Sequence, residues 1–350
     1  MANNNFKLII NKDNLLHNIK YLTTIKNKKI IPVIKANAYG HGINEIVSIL
    51  YSSGQKEFIV AKLSEAKKIL RNGNYPDIKI MVLESIKEFE LVIEEKNILL
   101  SINNIAHLHD ALNFGIPSNR MHLKIDFGFG RNGIFYDQQD ELLSIIKEKN
   151  LTFSGIYTHL FAASYNDGLE VINNLTNLIN KIGREKFEMI HFQNSASVFN
   201  YDCEIVTHIR PGMLTYGLQE SGYHEPNLKQ VFSLKGAVED IKSMDKNKYL
   251  AYELKDSLGI DSNKNIARIT IGYGDGFIKK NEFGKCLISK KEFEIKQITM
   301  DNTFVLVDDN IKVGDEVSLY YDVTKTVNHL EMGMQEVLVL INDRIERVIK

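Results

Sequence analysis

Lys29-Ile-Ile-Pro-Val-Ile34 leads directly into Lys35-Ala-Asn-Ala-Tyr39-Gly-His-Gly42. The first six residues form a short apolar, β-branched run, which reads as a buried strand. The lysine stands at its carboxyl end. Seven further runs of this kind follow: Glu57–Val60, Ile78–Leu83, Ile98–Ile102, Met121–Ile125, Gly155–Tyr157, Met189–Phe192 and Ile205–Ile209. Helical patterns lie between them. One runs from Leu63 to Gly73, with Ser64 expected as its cap and Gly73 as a left-handed stop. Another runs from Asn166 to Phe187, with Leu169, Ile172, Leu175, Leu178 and Ile179 on a helical period. Eight strands alternating with helices predict an α/β fold, a (β/α)8 TIM-type barrel. A doubly wound open sheet is the alternative.

The pattern changes near Pro226. Short strand-like segments follow at Phe232–Ile241, Asn265–Ile271, Lys285–Ile288, Phe304–Val307, Glu316–Tyr320 and Glu336–Leu340, punctuated by turns such as Val313-Gly-Asp. The expected division is a barrel over 1–228 and a C-terminal all-β domain over 229–350. The first few residues are free to pair with the β domain.

The chain has 350 residues, 44% of them hydrophobic, which allows a sizeable core. A net charge of −1 gives no reason to expect nucleic acid as partner. Cys203 and Cys286 stand in unrelated contexts, so neither a disulfide framework nor a zinc signature is expected, and no metal. The amino terminus lacks a signal pattern. No apolar run approaches the ~18–20 residues that cross a bilayer. A soluble cytoplasmic protein is the expectation.

In such barrels chemistry sits at the carboxyl ends of the strands. A lysine there is partly desolvated, which lowers its pKa and favours an amine nucleophile, although a surface lysine fits the same position. After the fifth strand comes Lys124-Ile-Asp-Phe-Gly-Phe-Gly-Arg131, and after the sixth Thr158-His159. After the seventh comes His191-Phe-Gln-Asn194-Ser195, and after the eighth Arg210-Pro-Gly212-Met213. Hydroxyl, amide and glycine backbone groups at adjacent strand ends make a plausible phosphate cradle.

The segment Val33-Ile-Lys35-Ala-Asn-Ala-Tyr39-Gly-His-Gly42 resembles the cofactor-lysine motif of alanine racemases. The order that follows is also similar: His122-Leu-Lys124-Ile-Asp126, Gly130-Arg131, Tyr157-Thr-His159, Asn194-Ser195-Ala, Arg210-Pro-Gly212, Tyr216-Gly, Gly272-Tyr273-Gly-Asp-Gly276 and Met300-Asp301. The resemblance implies a pyridoxal 5'-phosphate-dependent racemase, active as a head-to-tail homodimer with sites shared between subunits. It implies that Lys35 carries the cofactor, that Tyr39, Asn194, Ser195, Gly212 and Met213 hold the phosphate, and that Arg210 faces the pyridine nitrogen. Arg131 would meet the phenolic oxygen beside Lys124, a position often carbamylated in the family. Arg131, Tyr273, Met300 and Asp301 would line the substrate path. The second base would be a tyrosine from the partner's β domain, matched here by Tyr252, with His159 beside it and linked to Arg210. Arginine stays a donor at any ordinary pH, so it leaves the pyridine nitrogen unprotonated. The implied product is a D-amino acid for the bacterial cell wall.

Departures from the family pattern bear on substrate choice. Glu253 stands where glycine usually follows the catalytic tyrosine, and Asp343 stands where some members place a tyrosine. Alanine is the expected substrate, with serine or a broader amino-acid range as the alternative. A non-catalytic cofactor-binding homologue and a basic-amino-acid decarboxylase are the other readings. The decarboxylase would need a carboxylate at the position of Arg210.

Overall fold

The computed structural model describes residues 6–160, 164–219, 225–261 and 264–350. It divides into two compact units. One comprises Leu15–Ala38 and Ile46–Lys229. The other comprises Tyr39–Glu45, Gln230–Lys350 and the described residues up to Asn14.

In the first unit, Glu57–Val60, Lys79–Val82, Ile98–Ile102, Met121–Asp126, Phe153–Thr158 and Phe187–His191 form one parallel sheet in that order. Lys29–Ile30 and His208–Ile209 pair with each other. Backbone hydrogen bonds then close the ring. Ile59 N donates to Pro32 O at 3.0 Å and Ile34 N to Ile59 O at 2.8 Å. On the other side Thr207 N donates to Ile190 O at 3.0 Å and Arg210 N to Gln193 O at 2.9 Å. The result is the eight-stranded barrel that the apolar runs predict, not an open sheet. Parallel barrel strands are covered on both faces, which requires continuous burial. Ile98–Ile102, Met121–Asp126 and Phe153–Thr158 are buried at every position.

The first strand carries a repair. Pro32 has no N–H, so the register that joins Val33 to Ile59 leaves the Glu57 carbonyl without its ladder donor. The Gln55 side-chain amide takes that place. Its Nε2 donates to Glu57 O at 2.8 Å and to Ile30 O at 2.9 Å. One amide group thus spans the gap that proline opens between the first two strands.

Two expected helix signals are corrected. The helix Leu63–Asn72 is preceded by Lys62 at the cap position, and Ser64 lies inside its first turn. Glu65 caps it instead, accepting from Ala61 N at 2.9 Å and Lys62 N at 3.0 Å. Gly73 is extended, with φ −154°, so it ends the helix without a left-handed turn. The longer helix is Tyr165–Ile182, shorter at its end than expected because Gly183 turns the chain at φ 108°. Ser164 caps it by accepting from Asp167 N at 3.2 Å.

The second unit is built on one nine-stranded sheet. Its order is Asp240–Ser243, Asn265–Ile269, Thr303–Val307, Lys291–Ile298, Lys285–Ile288, Glu316–Leu319, Phe232–Ala237, Lys7–Ile10, Glu346–Ile349. Lys7–Ile10 lies inside this sheet, antiparallel to Phe232–Ala237 and parallel to Glu346–Ile349. Glu336–Leu340, expected as a strand, is part of the helix Met334–Leu340. Met334, Val337 and Leu338 are its buried residues, and with the buried Ile341 just after it they lie three, four and seven positions from Met334, while Val339 and Leu340 face solvent. The period is helical although the composition suggests a strand. A second helix, Val323–Leu330, is capped by Asp322, which accepts from Lys325 N at 3.0 Å. Among the described residues no helix is long and apolar enough to cross a membrane.

The proline repair gives a direct expectation. Gln55→Ala leaves two strand carbonyls without their donor and should lower the barrel's unfolding free energy by about 1–3 kcal/mol. Urea titration followed by far-ultraviolet circular dichroism measures this.

Candidate active site

The polypeptide after Ile34 does something rare. Ala36, Asn37 and Ala38 have φ/ψ of 52/55°, 54/46° and 55/50°, and Tyr39 has φ 52°. Four successive non-glycine residues are therefore left-handed, a conformation that costs roughly 1–2 kcal/mol per residue. The turn is closed by Ala38 N donating to Ile34 O at 3.0 Å. Lys35 is the residue from which this turn departs. Strain of this kind concentrates at functional sites.

Around Lys35 the barrel gathers cations. Burial lowers the Lys35 amine below the ordinary lysine value, and the nearby charges of Arg131 and Arg210 lower it further. Lys124 is buried on the fifth strand. Burial, then Arg131, lowers its amine to about 8. Lys124 Nζ donates to Asn132 Oδ1. The loop that carries Arg131 is shaped by Asp126, whose carboxylate accepts from Gly128 N at 2.9 Å and Gly130 N at 3.0 Å. The Arg131 guanidinium lies over the Phe129 ring, with 4.7 Å from its carbon to the ring centroid.

Arg210 is buried at the end of the eighth strand. Its Nη2 donates to Thr158 O at 3.0 Å, Phe192 O at 3.2 Å and His159 Nδ1 at 3.2 Å. An arginine can only donate, so His159 Nδ1 is the acceptor and a neutral ring carries its proton on Nε2. The ring is held neutral: burial, then the charges of Arg210 and Arg131, lowers His159 to about 3. Arg210 therefore selects the His159 tautomer and leaves an N–H donor on the far side of the ring.

Ser195 and the Gly212 turn meet as the strand ends suggest. Ser195 Oγ accepts from Gly212 N at 3.0 Å and Leu214 N at 3.4 Å. Gly212 opens the short 3-10 turn Met213–Tyr216. Asn194 folds its own loop, with Oδ1 accepting from Ser197 N at 3.1 Å. Lys35, Lys124, Arg131, His159, Asn194, Ser195, Arg210, Gly212 and Met213 all belong to the barrel unit.

The remaining candidates belong to the β unit. Tyr39 ends the left-handed run. Tyr273 N donates to Thr299 O at 3.1 Å and Gly274 N to Met300 O at 2.8 Å, so Tyr273, Met300 and Asp301 share one loop cluster. Arg344 ties it, with Nη2 2.7 Å from Asp301 and Nε 3.1 Å from Asp275. Tyr252 is separate. It sits in the two-residue turn between Tyr249–Leu250 and Glu253–Leu254, and it is 76% exposed. Asp343 is 88% exposed on its side chain, 3.9 Å from Arg347. Sequence reasoning misses Glu65 and Asn132, and it names Asp126 and Arg344 only within motifs, without their roles. Asp126 alone had a usable signal, an aspartate two residues before glycine, which marks an Asx turn.

A lysine of lowered pKa at a barrel mouth, near enough to Arg131 and Arg210 to be lowered by their charges as well as by burial, defines an amine-nucleophile site suited to an anionic carbonyl compound. The chain matches the family model described as alanine racemase, N-terminal domain, over residues 10–220, and the C-terminal domain model over residues 231–349. It is 33% identical to an alanine racemase of Fusobacterium nucleatum subsp. nucleatum, over 97% of this chain and 98% of the relative. It is 29% identical to one of Carboxydothermus hydrogenoformans, covering 97% and 98%. Its fold is similar to the alanine racemase of Clostridium difficile 630, with a TM-score of 0.85, 26% identity and coverage of 100% and 97%. It is also similar to the crystal structure of alanine racemase from E. faecalis, with a TM-score of 0.86, 22% identity and coverage of 100% and 99%. The chain belongs to the alanine racemase family, and is a pyridoxal-phosphate-dependent amino-acid racemase.

The barrel's buried histidines make it less stable in acid. Burial first, then neighbouring positive charge, lowers His122 to about 3 and His208 to about 4, and holds His191 well below the ordinary value. Above pH about 6.5 these groups are neutral in both folded and unfolded chains. Below it the unfolded chain takes up protons that the folded barrel refuses, so stability falls as pH falls. Each such histidine contributes about 1.4 kcal/mol per pH unit over that window. His122 donates from Nδ1 to Ser154 Oγ at 2.7 Å, because the serine hydroxyl itself donates to Met121 O. His122→Gln should flatten the stability-versus-pH slope between pH 6 and 4 by about one proton's worth. Urea midpoints measured at several pH values check this.

Proposed function

We propose that this chain interconverts L- and D-alanine by proton transfer between two bases on opposite faces of the α-carbon, and that a homodimer supplies both. The observation that carries the reading is the Lys35 amine, depressed by burial and by Arg131 and Arg210 at the mouth of the barrel. Lowering the amine's pKa raises the share of it that is free to accept the α-proton at a given pH, the direction a base in this position needs.

The donor set fits pyridoxal phosphate. Beyond burial, the charges of Arg131 and Arg210 lower the amines of Lys35 and Lys124, and a ligand bearing a phosphate and a phenolate would relieve that repulsion. Ser195, Asn194, Gly212, Met213 and Tyr39 would hold the phosphate. Arg131, with Lys124 beside it, would meet the phenolic oxygen, and Arg210 the pyridine nitrogen. A Lys124 amine lowered to about 8 is partly neutral at physiological pH, which favours carbamylation by carbon dioxide. When bound, the group supplies the aldehyde carbon to which Lys35 attaches and a conjugated ring that spreads the charge left by the departing proton.

Lys35 Nζ would hold the proton on one face. Tyr252 of the partner subunit would hold it on the other. A phenol of ordinary pKa near 10 needs a hydrogen-bond donor to act as a base, and the His159 Nε2–H selected by Arg210 is suited to that role. A turn tyrosine that is 76% exposed in its own chain is free to reach another. Arg131, Tyr273, Met300 and Asp301 would line the substrate path. The product is D-alanine for peptidoglycan in the cytoplasm.

Exchange of the α-proton with solvent deuterium tests the reading. L-Alanine should exchange and racemise, with L-serine and L-lysine slower by about tenfold or more. Exchange that is fastest with serine, or absent with all three, contradicts it. Lys35→Ala and Tyr252→Phe should each abolish racemisation. Mixing the two variants should restore roughly a quarter of the sites, because a mixed dimer rebuilds one intact site of its two. No recovery on mixing contradicts a shared site.

A further inference from the structure

The left-handed turn after Lys35 needs something to hold it, and one carboxylate is placed to do so. Glu65 Oε1 accepts from Ala36 N, the first amide of that turn. Its Oε2 accepts from Ala61 N at 2.9 Å and Lys62 N at 3.0 Å, just beyond the second barrel strand. On the first strand, Ile34 N is the last amide to join the ladder, donating to Ile59 O. The next amide on that side belongs to Ala36, where the chain has already turned away. Glu65 thus replaces the ladder bond that the left-handed turn forfeits, and it anchors that turn to the neighbouring strand.

We infer that Glu65 is a positioning residue for the cofactor lysine, fixing where the Lys35 amine points by clamping the left-handed turn to the end of the second strand. The inference rests on the assignment of Lys35 as the cofactor lysine. Both Glu65 oxygens accept, one from Ala36 and the other from two amides. A glutamine cannot reproduce this, because its –NH2 would face an N–H donor at one end whichever way it is flipped. The carboxylate has a second effect on Lys35: its charge opposes the lowering caused by burial and by the arginines. The barrel also contains a natural control. Glu84 accepts from Leu63 N one strand further on, and it pairs with Lys62 at 3.2 Å. It is a strand-end carboxylate of the same kind with no bond to the Lys35 turn among those described.

The test compares wild type, Glu65→Gln, Glu84→Gln and Lys35→Ala as apoproteins. Pyridoxal phosphate capture is followed by its absorbance, and Lys35 acylation by acetic anhydride is followed across pH by peptide mass mapping. Glu65→Gln should slow capture by about ten- to a hundredfold, the scale of a lost charge-assisted hydrogen bond. The pH midpoint of Lys35 acylation should move down, because an opposing negative charge is gone. Glu84→Gln should capture at the wild-type rate. Adding Ala36→Gly to Glu65→Gln should recover much of the loss, since glycine adopts φ near +50° without penalty and Ala36 is exposed. Wild-type capture in Glu65→Gln overturns the inference. So does slow capture with an acylation midpoint moved up towards ordinary lysine, which is the mark of a loosened site. If Glu65→Gln does not fold, the same readouts are taken on Glu65→Asp, whose shorter arm should cost capture and regain it with Ala36→Gly; wild-type capture there overturns the inference equally. Retention of the chromophore in Lys35→Ala instead overturns the assignment of Lys35, whatever Glu65 does.

Discussion

An amine beside two guanidinium groups in a partly desolvated pocket resists protonation, and that resistance is what the site is built around. Burial first, then the charges of Arg131 and Arg210, lowers the Lys35 amine and, with it, His159 and Lys124. Each cation raises the cost of the next, so the pocket is poised for an anionic ligand. Arg210 also does something that a charge alone would not. By donating to His159 Nδ1 it fixes which nitrogen of that ring carries a proton. One buried arginine thereby sets the charge, the tautomer and the hydrogen-bonding sense of the cluster.

Holding that cluster requires departures from regular backbone. The first strand contains a proline that would break its ladder, and Gln55 supplies the missing donor. Four residues further on the chain turns left-handed for four residues in succession, and Glu65 supplies the missing acceptor. In both cases a side chain from the second strand's surroundings completes a backbone bond of the first. The regular parts of the barrel, such as the fully buried fifth and sixth strands, provide the rigid frame against which these exceptions are tolerated.

What was legible in the sequence follows from how local each signal is. The barrel strands show as apolar runs because burial on both faces leaves no polar alternation to read. The strand-end residues Lys35, Arg131, His159, Ser195 and Arg210 stand out as candidates because chemistry in this fold sits where strands stop. Glu65 was not found, since nothing local distinguishes a helix-start glutamate that also reaches the preceding strand. Ser64 looked like the better cap, but the chain enters the helix one residue earlier and the carboxylate reaches back. Lys291–Ile298 was missed because its charged residues interrupt the apolar pattern of a long central strand. Glu336–Leu340 resembles a strand in its valine and leucine content, whereas the buried residues in and around it fall on a helical period.

Borohydride reduction of the cofactor-loaded protein, followed by peptide mass mapping, tests the central claim most directly. The account predicts a phosphopyridoxyl group on Lys35 and on no other lysine. Stoichiometric label on a different lysine, or no covalent label at all, would contradict it.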